Sequence, residues 1–205
     1  MSEKPILFKP ELVRKILEGE KTVTRRIVKP QPHYLTMVDT QHMVALHDSE
    51  LIVPKCPYGE PGDVLWVRET WTPNTGIWMQ LYGDDKVLFK ADFLVKEPLT
   101  NVKWKPSIHM PKKYCRLRLR ITDISVERLQ DITDDEIKKE GIDIPNLDCG
   151  VCGGEIPDNF GNPCKDCDDA LRNVWIETWN SINEKRGYSW ESNPWLWRIE
   201  FEAIQ

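Results

Sequence analysis

The segment Val64 to Trp71, VLWVRETW, constrains the fold of this chain more than any other stretch. Its side chains alternate. Val64, Trp66, Arg68 and Thr70 fall on one face, and Leu65, Val67, Glu69 and Trp71 on the other, the period of a strand with two unlike sides. Two further runs behave alike. Cys115 to Arg128 alternates through Leu117, Leu119 and Ile121 and then Ile124 and Val126, which predicts a long strand with a bulge or bend near Thr122-Asp123. Trp195 to Ala203, WLWRIEFEA, predicts a closing strand, and Lys21 to Val28 and Lys86 to Phe93 predict shorter ones. None is followed regularly by a crossover helix. That pattern argues against a doubly wound sheet and for an α+β fold, a small mixed or antiparallel β-barrel with helices packed on it.

Three helices accompany the strands. The first runs from Lys9 to Gly19, with Pro10 in its first turn, Gly19 as its C-terminal cap and Leu12, Val13, Ile16 and Leu17 on one face. The second starts at Thr133, an N-cap with Glu136 three residues on, and runs to about Gly141. The third spans Asp168 to Asn183 and buries Leu171, Val174, Trp175, Thr178 and Trp179. Residues 29–60 carry Pro30, Pro32, Pro54 and Pro57 and predict an irregular insertion holding one hairpin, Met43–Leu46 against Leu51–Val53. Pro61-Gly62-Asp63 predicts a turn. The expectation is one domain over 1–205, with insertions at about 29–60 and about 142–167.

The 205 residues carry a formal net charge of -5, so global charge does not draw the chain onto nucleic acid, and any such contact needs a local basic patch. The opening MSEKPILFKP lacks the long apolar core of a secretory signal, and no apolar run is long enough to span a bilayer. A cytoplasmic protein with no membrane partner is expected. Its six cysteines then need a purpose other than disulfides.

Four of them have one. Cys149, Cys152, Cys164 and Cys167 form two C-x2-C pairs, each able to bend into a knuckle that aims two thiolates at one point. Four sulfurs in a tetrahedron suit zinc, with iron the competing metal, and leave no open coordination position, so the zinc would be structural. The acidic residues around the pairs disfavour contact with phosphate. Cys56 and Cys115 read as ordinary thiols.

The stretch GEKTVTRR, Gly19 to Arg26, leaves the first helix and enters a strand with three cations and two hydroxyls in six residues. Thr22, Thr24 and Arg26 share one strand face; Lys21, Val23, Arg25 and Ile27 share the other, unless Lys21 still belongs to the turn. Two readings stand: a solvated polar strand face, or a pocket for an anion or nucleotide. Trp66 and Arg68 combine an aromatic stacker with a cation on one face, and His109 lies in the proline-bracketed loop PSIHMP. Either could line a cleft, or serve structure alone. Arg116, Arg118 and Arg120 share a strand face and form the best candidate stripe for an RNA backbone, unless acids such as Glu200 pair with them.

The helix with Gly19, Lys21-Thr22-x-Thr24 and Arg26, then PGDVLWV and the closing WRIEF, together resemble an ASCH domain of the PUA-like superfamily. The combination of TRR, CPYGEPGDVLWVRETW, PSIHMP, RLQDIT and NPWLWRIEF is similar to ASCH proteins of phages and prophages and covers most of the chain. The resemblance implies a β-barrel whose cleft accepts a nucleobase, nucleoside or RNA. Some small ASCH proteins are amidohydrolases that remove the acetyl group from acetylcytidine. By that resemblance Lys21 is the general base, Thr24 the nucleophile, and Glu140, with Glu136 as its rival, the group that protonates the leaving amine or orients the base. Arg25, Arg26, Trp66, Arg68 and His109 then become candidate ligand contacts. Other readings the family allows are a non-catalytic reader of RNA or modified bases, a ribonuclease, and a phage protein that binds a host protein.

Overall fold

The computed structural model describes residues 1–37, 43–47, 50–52, 55–74, 87–94, 102–142 and 165–204. Cys149, Cys152 and Cys164 lie outside them, as does the side chain of Cys167, so the expected zinc insertion falls beyond the described structure.

The fold is α+β with a mixed five-stranded sheet of order β1-β6-β9-β10-β2. Its strands are β1 (Glu3–Leu7), β2 (Val23–Ile27), β6 (Val64–Arg68), β9 (Arg118–Arg128) and β10 (Trp195–Ile204). β1 runs parallel to β6, with Pro5 opposite Trp66 and Leu7 opposite Arg68. β6 runs antiparallel to β9, with Val64 opposite Arg120 and Trp66 opposite Arg118. The sheet is open in this order, with β1 and β2 at its ends, where the sequence predicts a closed barrel. The chain leaves β1 directly into helix α1 (Pro10–Leu17) instead of turning back in a hairpin, so β1 remains an end strand.

Two smaller sheets complete the strands. β3 (Tyr34–Met37), β4 (Met43–His47) and β5 (Glu50–Ile52) form an antiparallel meander, with Ala45 opposite Ile52 as the hairpin reading requires. β3 is an addition to that reading. β7 (Trp71–Pro73) pairs with β8 (Val87–Phe89). The strand expected over Lys86–Phe93 therefore stops at Phe89, and Lys90–Phe93 forms a 3-10 turn. VLWVRETW is likewise two strands. The ladder breaks at Glu69, whose backbone N–H donates to Met110 Sδ at 3.2 Å.

Local signals set the helices. In α1, Val13 and Ile16 are buried while Leu17 is exposed, so its apolar stripe is narrower than the sequence suggests. Gly19 takes φ +79°, a left-handed conformation that ends the helix with little steric cost. Thr133 caps α2 (Asp134–Lys139) by accepting from the Glu136 N–H. α3 (Lys165–Asn183) buries Leu171, Trp175 and Trp179 at four-residue intervals.

The chain divides into two compact units, residues 1–22, 56–124 and 200–205 in one, 23–55 and 125–199 in the other. The first unit buries Ile6, Leu65, Val67, Leu119 and Ile121 from its strands, and it groups Trp71, Phe89 and Met110 in a satellite cluster. The second is centred on Leu129, Ile132, Ile137, Leu171, Trp175, Trp179 and Leu196, with Ile27 and Trp190 packed against them. Among the described residues no helix is long and apolar enough to cross a membrane.

Candidate functional site

The densest polar arrangement lies inside the second unit. Strand β2 sends Arg25 inward, beside the buried Val23 of the same face. Its guanidinium meets three carboxylates. Nε donates to Glu127 near the end of β9. Nη2 donates to Glu136 Oε2 at 3.0 Å, and Nη1 to Glu140 Oε1 at 3.1 Å. Glu136 and Glu140 stand one helical turn apart at α2, so both reach the same side.

A second cation completes the cluster. Arg198 of β10 grips Glu136 with a fork, Nε to Oε2 at 2.9 Å and Nη2 to Oε1 at 3.0 Å. Lys139 adds a contact to Glu136 Oε1 at 3.2 Å. The hydrogen bonds of Arg198, set against partial burial and assisted by those of Arg25, hold the Glu136 carboxyl down at about 2. Burial alone would weaken the charge on Arg25; the Glu140 and Glu127 carboxylates outweigh it and raise its pKa. A buried guanidinium survives because each side of its fork is answered by an oxygen.

Of the residues singled out in the sequence, Arg25 is thus directed to carboxylates. Thr24 is only 4% exposed on β2, and Glu140 5%. Lys21 belongs to the first unit and is 2% exposed. Its amide donates to the Lys15 carbonyl at 3.1 Å, so it sits in the turn leaving α1, and its ammonium lies 5.8 Å from the Phe8 ring centroid. Arg26 is half-buried on β2.

The remaining candidates lie in the first unit. Arg68 stands over the Trp66 ring, 5.4 Å from its centroid, and donates to the Ile108 carbonyl. His109 is exposed in a 3-10 turn whose neighbour Met110 is wholly buried. Arg116 bridges Glu69 (Nε to Oε1, 3.0 Å; Nη2 to Oε2, 2.8 Å) and Asp92, and covers the Phe89 ring at 4.1 Å. Glu69 is completely buried, and that burial raises its pKa against the opposing pull of Arg116. Glu69 thus pairs with Arg116 and not with its chain neighbour Arg68. Arg120 pairs with Glu202 at 3.1 Å rather than with Glu200.

Sequence reasoning missed Glu127 and Arg198. Both sit in alternating strands at positions that read as solvent-facing. The one available signal was Arg25 itself, a cation on the same strand face as Val23 and Ile27.

These features define an α+β protein with a buried ionic cluster at one strand-helix junction. No protein-family profile matches the chain, and no curated protein does. A solved structure, an ASCH domain from Lactobacillus crispatus JV V101, is similar at 13% identity, covering 98% of this chain and 79% of that one, with a TM-score of 0.37.

Proposed function

We propose that this chain is an ASCH-type nucleoside-binding protein that hydrolyses an acyl amide on a modified nucleobase such as acetylcytidine. One observation supports the reading above others. The three residues that the sequence resemblance selects are all withdrawn from water: Lys21 is 2%, Thr24 4% and Glu140 5% exposed. Burying an ammonium, a hydroxyl and a carboxylate is costly, and surface residues of these types are seldom hidden without a purpose.

The resemblance makes Lys21 the general base for the Thr24 hydroxyl in the proposed reaction. The Thr24 oxygen attacks the amide carbonyl. The tetrahedral intermediate expels the exocyclic amine of the base, which receives the proton from Lys21. Water then hydrolyses the acyl-threonine ester and regenerates the hydroxyl. Glu140, whose Oε1 accepts from Arg25, protonates the leaving amine or orients the base in this proposal. Zinc, held by Cys149, Cys152, Cys164 and Cys167, would fold the insertion and take no part in the reaction.

The Arg25–Glu140 bond also favours a second reading, a non-catalytic reader of modified bases, because a carboxylate held by a buried guanidinium serves stability equally well. Turnover of acetylcytidine by the purified protein, followed by chromatography beside Lys21→Ala and Thr24→Ala, separates the two. Turnover by the wild type and by neither variant supports the hydrolase. Binding of the nucleoside with no turnover supports the reader. Metal analysis of the same sample should return one zinc per chain.

A further inference from the structure

Residues 102–122 of the first unit carry four lysines, three arginines and no acidic residue, in a chain whose net charge is -5. Acids elsewhere in the unit answer some of these cations. Glu3 pairs with Lys112, Glu69 and Asp92 with Arg116, and Glu202 with Arg120. Lys103, Lys105 and Lys113 are exposed and form no ion pair among the described residues.

The backbone that presents these lysines is tied down. Lys105 forms an antiparallel bridge with Trp71: its N–H donates to the Trp71 carbonyl at 2.7 Å, and its carbonyl accepts from the Trp71 N–H at 3.2 Å. Two 3-10 turns follow, Ser107–His109 and Lys112–Tyr114, each entered from a proline of fixed φ, Pro106 and Pro111. Met110, between the turns, is wholly buried and anchors both. Lys105 Nζ lies 5.0 Å from the Trp71 ring centroid and Lys113 Nζ 4.9 Å from that of Tyr114, and the two rings are 5.3 Å apart. The two ammoniums therefore flank one ring pair, which orders them. On the first turn, two residues from the Met110 anchor, Ile108 is left 54% exposed.

We infer that this double turn docks an acidic segment of another protein, one that carries an apolar side chain among its carboxylates. The carboxylates answer Lys105 and Lys113, and the apolar side chain covers Ile108. Lysines already ordered over rings, on a backbone already fixed, lower the entropy that such docking costs. Nucleic acid is the weaker fit, because single strands are held by bases stacked on open ring faces. The rings of this surface are already engaged. Trp71 is 6% and Phe89 7% exposed, Arg116 covers Phe89 at 4.1 Å, and Trp104 leans on Phe93 with centroids 6.0 Å apart. The large apolar group left in water is aliphatic, which suits a protein partner.

The inference is independent of the hydrolase reading. Its test is fluorescence anisotropy of a labelled peptide of three glutamate-glutamate-leucine repeats against the full chain at low salt. A glutamate-only peptide of equal length and single-stranded RNA serve as competitors, and thermal melts check folding. Lys105→Glu combined with Lys113→Glu should weaken peptide binding at least about tenfold, and the milder Lys105→Gln with Lys113→Gln about threefold. Ile108→Ser should erase the preference for the leucine-containing peptide over the glutamate-only one. Lys185→Glu, which reverses an exposed charge in the second unit, should leave binding unchanged. Absence of binding by the wild type overturns the inference. So does an equal loss in Lys185→Glu, which would mark net charge alone, and so does RNA that displaces the label at lower concentration than the unlabelled peptide, which would make this a nucleic-acid surface. Sedimentation velocity without peptide tests the remaining occupant: self-association of the wild type that the Lys105→Gln, Lys113→Gln variant loses would put a second copy of this chain on the double turn and overturn the assignment to another protein.

Discussion

Arg25 donates through Nη1 to Glu140 Oε1 at 3.1 Å, joining strand β2 to the end of helix α2 across 115 residues of sequence. Both side chains are buried, so the bond is a condition of the second unit's packing as much as of any chemistry there. Arg25→Met should strand three carboxylates without their cation and destabilise the protein by about 3–5 kcal/mol. Urea unfolding followed by circular dichroism measures it. Arg25→Lys should lose much of the same stability, since one ammonium cannot answer three acids with fork geometry. A loss below about 1 kcal/mol for Arg25→Met would mean that the cluster carries no structural load.

Acid should loosen the same cluster. The folded Glu136 carboxyl sits at about 2, below its ordinary 4.5, because Arg198 and Arg25 hold its charged form. A depressed carboxyl contributes its stability in full above the unfolded value and loses it as pH falls toward the folded one. The contribution should therefore disappear between about pH 5 and pH 2. Thermal melts across that range should show a shallower acid limb in Glu136→Gln than in the wild type; identical limbs would refute the assignment.

The Glu69–Arg116 pair gives the opposite sign. Burial raises the folded pKa of Glu69, so its ionisation opposes folding, and stability falls as pH rises through that window. Arg116→Ala removes the partner and should cost about 3 kcal/mol. Adding Glu69→Gln to that variant should restore part of the loss, because a neutral amide is cheaper to bury. A double variant no more stable than Arg116→Ala would show that the pair's contribution is packing over the Phe89 ring, not charge.

Gly62 has φ +93° in the turn before β6, and nothing stands within 4 Å of where a Cβ would lie. Space is thus no obstacle, and backbone strain alone decides the outcome. Gly62→Ala should cost about 1–2 kcal/mol, read from the shift in denaturation midpoint. No shift would mean that the turn relaxes to negative φ.

Much of the fold was legible where one residue type has one physical use. Thr133 announced the start of α2, Gly19 the end of α1, and the four-residue spacing of Leu171, Trp175 and Trp179 the inner side of α3. The alternation in VLWVRETW grouped Leu65, Val67, Glu69 and Trp71 on one side, and all four are buried, though which side would be buried was not legible. It did not show the break at Glu69, because that depends on Met110, forty-one residues away. The ionic cluster was illegible for the same reason. Glu127 and Arg198 look like ordinary solvent-facing strand residues until the sheet order brings them to Arg25 and Glu136. Closure of the sheet was overread, since alternation describes a strand's two faces and says nothing about whether its ends meet.

The spacing of Glu136 and Glu140 is an angular setting as well as a distance. Each residue of an α-helix turns the chain by about 100°, and Thr133 fixes the starting angle. A substitution in α2 removes one prong of this two-pronged grip on Arg25. A single residue inserted between the prongs would leave every charge present and rotate one of them away. Chains that keep this cluster should therefore tolerate changes of side chain in α2 more readily than any change in its length.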